Sequence, residues 1–91
     1  MTDEAGRPAG LEFPTDFPIK IMGRRDDAFA QTIVGIVLEH APDFDPSTLE
    51  MRSSKDGNYL SVTATVNAVS REQLDALYRA LTSHPMVLVV L

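Results

Sequence analysis

The chain has 91 residues, which suits one domain with a single core and two layers. Its 8 basic and 13 acidic residues leave a net charge of -5 that repels phosphate backbones and anionic bilayers, so neither nucleic acid nor membrane is expected as a partner. It holds no cysteine, which excludes disulfides and thiolate metal sites. The polar, acidic start "MTDEAGRPAG" lacks the basic and apolar regions of a signal peptide, so a cytoplasmic location is expected.

Residues 1–10 mix Gly, Pro and charge without periodicity and are expected to form a disordered tail, leaving 11–91 as the domain. In "LEFPTDFPIKIMG", Pro14 and Pro18 block a helix. Phe17, Ile19 and Ile21 alternate there with Lys20 and Met22, which predicts a first strand ended by Gly23. Asp26 is expected to cap a helix in which Phe29, Ile33, Val34, Ile36, Val37 and Ala41 recur at spacings of three and four. Pro42 and Pro46 break it. "TLEMR" predicts a short second strand, with Leu49 and Met51 on one side and Thr48, Glu50 and Arg52 on the other.

Asp56-Gly57 signals a tight turn into a third strand, because glycine supplies the positive φ such a turn needs. That strand sets Leu60, Val62, Ala64, Val66 and Ala68 toward a core and Tyr59, Ser61, Thr63, Thr65 and Asn67 away from it. Ser70 and Gln73 have capping-box spacing for a second helix carrying Leu74, Leu77, Tyr78 and Leu81. "TSHP" stops it, and Met86–Leu91 forms a fourth strand, apolar throughout and far shorter than the roughly 20 residues that span a bilayer. The order βαββαβ is that of an α+β, ferredoxin-like two-layer sandwich, with an antiparallel sheet ordered 4-1-3-2 and both helices on one face. Ser61, Thr63 and Thr65 then lie on the helix-free face.

"EFPTDFPIKIMG" and "SSKDGNYLSVTATVNA" resemble the YbeD-like family of small bacterial proteins. The most specific parts are Phe13-Pro14, Phe17, Lys20, Met22-Gly23, Ser53-Ser54-Lys55 and Gly57-Asn58-Tyr59, with Asp56 lengthening the turn by one residue. The resemblance implies a ferredoxin-like fold similar to ACT regulatory domains, and no catalytic residue to carry over. With no reactive cluster in the sequence, the expected role is a non-enzymatic regulatory or protein-interaction domain without a cofactor.

The predicted topology gathers Gly23, Arg24, Arg25, Arg52, Lys55, Asn58 and His84 at one end of the sheet, beside the N-terminus of the first helix. This end is a candidate site for a small anionic effector. Against that stands a plain surface reading, in which Arg24 and Arg25 are solvated and partly neutralised by Asp26 and Asp27. An acylphosphatase-like use of Arg24 or Arg25 with Asn58 needs more loop backbone than one glycine and a few residues offer. His40 and His84 fall at opposite ends with no ligand spacing, so no metal is expected, and His40 suits a helix C-terminus.

The fourth strand should be a sheet edge, yet Met86, Val87, Leu88, Val89, Val90 and Leu91 carry no charge to discourage pairing. Something is expected to cover it: the segment carrying Leu11 and Phe13 folding across the helix-free face, or a second copy of the chain in a two-fold dimer.

Overall fold

The computed structural model describes residues 12–91, so the expected tail and Leu11 lie outside the described residues. In chain order it has β1 (Thr15–Arg24), α1 (Phe29–His40), a 3₁₀ turn (Pro46–Thr48), β2 (Glu50–Ser53), β3 (Tyr59–Ala68), α2 (Arg71–Thr82) and β4 (Val87–Val90). The sheet runs β2-β3-β1-β4 with every pair antiparallel, the expected order read from the other edge.

Register decides which residues share a face. Ile19 pairs with Ala64, Ile21 with Val62 and Phe17 with Val66, and these positions meet the helices. Lys20 pairs with Thr63, Met22 with Ser61 and Pro18 with Thr65 on the other face. Ile19, Ile21, Phe29, Ile33, Val37, Val62, Leu77 and Leu81 are wholly buried, and each such side chain contributes roughly 1.5–3 kcal/mol by leaving water. The helices meet them because their apolar residues return every three or four positions, with Phe29, Ile33 and Val37 buried on α1 and Leu74, Leu77 and Leu81 on α2.

Several local expectations need correction. Gly23 does not end β1; the strand runs on through Arg24. A Cβ at Gly23 would collide with the Met86 carbonyl oxygen and the Phe29 ring, so glycine there permits close packing. Asp26 stands before the helix, where its Oδ1 accepts from the Ala28 amide at 2.8 Å and its carbonyl accepts from the Phe29 amide at 3.0 Å. The residue at the N-cap is Ala28, without a side-chain cap.

Thr48 is drawn into the 3₁₀ turn because Asp45 caps it, accepting from the Ser47 amide at 3.0 Å and hydroxyl at 2.7 Å. β2 therefore starts at Glu50, one residue after Leu49, and Met51 is 59% exposed although its partner Val62 is buried. Phe44, amid the residues that break α1, enters the core instead. Phe13 packs against the same core, so it does not anchor a cover over the helix-free face.

In β4 the strict alternation also fails. Met22 pairs with Val89 and Gly23 with Val87, so Leu88 is an extra residue in a bulge. Val87 and Val90 pack against the core, whereas Leu88 is 50% and Val89 43% exposed. Beyond the strand, Leu91 and Lys20 exchange backbone hydrogen bonds of 2.8 and 3.2 Å, which carries the ladder one residue further.

Candidate functional site

The end of β1 and the β2-β3 turn do meet. The Arg25 amide donates to the Asn58 carbonyl at 2.8 Å, and its Nη1 donates to Ser53 Oγ at 3.3 Å. Arg24, Arg25, Gly57, Asn58 and Tyr59 line an open depression of about 530 Å³. Across the arginines, a second depression of about 340 Å³ adds Asp26, Pro85, Met86 and Leu88, so the loop before β4 arrives through Pro85 and Met86.

The other expected members of this end behave differently. His84 is half-buried, and its Nδ1 accepts the Met86 amide at 3.1 Å, which fixes that nitrogen as an acceptor. Gly23 is buried under the Phe29 ring. Lys55 is exposed at the tip of the turn. Arg52 pairs with Ser61 and so belongs to the helix-free face.

The loop over residues 25–28 makes a poor phosphate cradle. The amides of Arg25, Ala28 and Phe29 are already donated to Asn58 and Asp26, and exposed Asp26 and Asp27 add negative charge. His40 closes α1, its Nδ1 lying 3.1 Å from the Ile36 carbonyl, while its own carbonyl accepts from Gln73 Nε2 at 2.8 Å. Among the described residues no three His, Cys, Asp or Glu side chains gather as a metal site, and none of the buried residues is polar or charged.

The shifted acids are structural. Asp56 is held below the ordinary carboxylate value by the Ser54 hydroxyl first and the Asn58 amide next, and Asp45 by the hydroxyl and amide of Ser47. Burial pushes the Tyr78 hydroxyl up.

The helix-free face holds a feature that sequence spacing does not assemble. Lys20, Met22, Arg52 and Ser61 line a pair of adjoining depressions there, with Glu50 and Thr63 at one end and Tyr59 at the other. The available signal is register: pairing Lys20 with Thr63 and Arg52 with Ser61 puts both cations beside β3. At the opposite side of that face, Val89 lies next to Met22 and exposed Leu91 next to Lys20.

A family model described as "Protein of unknown function (DUF493)" matches residues 8–91. A UPF0250 protein of Bordetella pertussis is 60% identical over 81 residues, spanning 89% of each chain. Another from Ralstonia nicotianae is 56% identical over 97 aligned positions, spanning 100% of both. These bear out the YbeD-like resemblance. Among solved structures, protein HP0495 from H. pylori superimposes with a TM-score of 0.71 at 10% identity, over 100% of this chain and 94% of that one. The ACT domain from GTP pyrophosphokinase of Chlorobium tepidum, in its solution structure, gives 0.62 at 22% identity over 84% of each. At such identities these likenesses show the fold, which is ACT-like.

Proposed function

The chain belongs to the DUF493 family of proteins of unknown function, and on that premise we propose that it is a non-enzymatic regulatory or protein-interaction domain that works through the β4 side of its sheet. The observation that carries this reading is the contiguous apolar strip of Leu88, Val89 and Leu91, each between 43% and 66% exposed. Exposed apolar residues in one patch favour association, whereas scattered ones need no account. The likeness to an ACT domain taken from a GTP pyrophosphokinase agrees with a regulatory role. The Leu88 bulge spoils a regular backbone ladder on that edge, so the contact is one of side chains, and a second copy in a two-fold dimer is its simplest partner.

Light scattering on the whole chain tests this. The expected result is a dimer that Val89→Glu, or the milder Val89→Thr, converts to monomer with its circular dichroism unchanged, while Met51→Glu on the opposite edge has no effect. A monomer at about 1 mM chain, where contacts worth only ~4 kcal/mol would register, overturns self-association.

A second reading, a sensor of small anionic metabolites, is favoured by the depression that Arg24 and Arg25 share with Asn58. An anionic metabolite that raises the melting temperature of the native chain, and not of the Arg24→Ala, Arg25→Ala variant, would move the function there.

A further inference from the structure

We propose that the helix-free face carries a groove for an extended segment of a partner protein, one that presents an acidic side chain and, two residues along, an apolar one. This goes beyond the β4 contact and does not depend on it.

The groove follows from side-chain sizes on three strands. β3, in the middle, puts the small Ser61 and Thr63 on this face, and they form a floor. β1 raises Lys20 and Met22 on one side, and β2 raises Arg52 on the other. Two depressions result, of about 240 and 220 Å³, and they share Lys20, Arg52 and Ser61. In a chain of net charge -5, two cations here face the single carboxylate of Glu50.

The two depressions differ in chemistry. The first joins Lys20 and Arg52 to the hydroxyls of Ser61 and Thr63, which suits a carboxylate. The second adds Met22 and Tyr59, a thioether and an aromatic ring, which suit an apolar side chain. Along β3 the first is lined by Thr63 and Ser61 and the second by Ser61 and Tyr59, so the lining advances by one two-residue step, ~6.7 Å of strand. Side chains on one side of an extended peptide repeat at the same distance.

Both depressions are open, so neither would enclose most of a small ligand, as a metabolite site does. A chain laid along β3 uses both at once. Single-stranded nucleic acid would need aromatic platforms on the central strands, where this face has Lys20, Met22, Ser61, Thr63 and Thr65 with Tyr59 at its margin.

The probe is a blocked pentapeptide with glutamate second and leucine fourth, titrated into the whole chain at low salt and followed by amide chemical shifts. We expect saturating shifts at Lys20, Met22, Ser61 and Thr63 with both helices unmoved. Changing the peptide's glutamate to glutamine, or Lys20→Gln with Arg52→Gln in the protein, should weaken binding about tenfold, since each removes charge-assisted hydrogen bonds. Lack of saturable shifts there at about 10 mM peptide overturns the proposal. So does acetate binding as tightly as the peptide, which would mark a bare anion site, or an oligouridylate taking the face in its place. Shifts of the same amides on concentrating the chain without peptide would mark the groove as a contact between copies and overturn it too. The β4 proposal is read from particle mass and Val89, so the two fail separately.

Discussion

The two edge strands, β2 and β4, are four residues each and differ in almost everything else. β2 is exposed at all four positions and places Glu50 and Arg52 on the helix-free face, the charged finish that discourages a neighbour from adding a strand. β4 is valine and leucine throughout, and its protection is geometric, a short length and the Leu88 bulge. They are also attached differently. β2 is tied to β3 by the turn next to it in sequence, while β4 is placed by packing of residues far apart in the chain. An edge placed locally can be polar, because it needs little burial to stay there. An edge placed by packing needs apolar side chains facing inward, and the bulge leaves Leu88 and Val89 facing outward as well.

The largest effect is expected at Gly23, where the attachment of β4 is tightest. Gly23→Ala pushes a methyl group against the Met86 carbonyl and into the Phe29 ring, whose Cζ would lie at 2.9 Å. Overpacking of this kind costs about 3 kcal/mol. Urea unfolding should show the loss, and hydrogen exchange should show it concentrated in β4 and the start of α1, with β2 and β3 less affected. An unchanged unfolding midpoint would mean that β4 is held elsewhere.

A smaller effect is expected at the turn that holds β2. Gly57 has φ +79°, and a methyl group added there would meet nothing within 4 Å, so its demand is on the backbone alone. Its amide donates to the Ser54 carbonyl at 3.0 Å, and the Ser54 amide donates to the Tyr59 carbonyl at 2.9 Å. Gly57→Val should cost about 1 kcal/mol or more by forcing a branched residue to positive φ. Here the exchange pattern should reverse, with β2 loosened and β4 protected. Equal loosening of both edges would erase the distinction between them.

The same contrast explains what is legible in the residues. β3, both helices and the Asp56-Gly57 turn rest on local periodicity and turn chemistry, so their type and order can be read directly. Gly23 misleads because glycine usually punctuates, and only the approach of Phe29 and Met86 shows that it lies inside a strand. Gln73 has the spacing of a capping box, yet its Oε1 accepts from the Val69 amide at 2.6 Å while Ser70 Oγ accepts from the Gln73 amide at 3.0 Å. Its Nε2 reaches across to α1, a contact that sequence spacing does not contain. Nearness to the turn groups Arg52 with Arg24 and Arg25, whereas strand parity sends it to the face with Lys20. A bulge reverses parity without a glycine or proline to announce it, which hides the outward turn of both Leu88 and Val89.

The smallest expected effect is a titration that only the β2 side should show. Asp56 Oδ1 accepts from Ser54 Oγ at 2.8 Å and from the Asn58 amide at 3.1 Å, and Oδ2 accepts from Asn58 Nδ2 at 3.0 Å. These bonds favour the ionised form and lower its pKa from 3.8. With the folded value below the unfolded one, the unfolded chain binds the proton more readily, so the contribution is present above 3.8 and is lost as pH falls through the lowered value. The carboxylate is fully exposed, which keeps the effect small. Asp45 titrates in the same sense, so the native chain's slope contains both, and subtracting an Asp56→Asn variant isolates the turn. Melting temperatures of the two proteins should differ most above 3.8 and draw together as pH falls from there through the lowered value. A constant difference would mean that the ionisation of Asp56 adds nothing to the turn. β4 contains no ionisable side chain, so its exchange protection should not follow that curve.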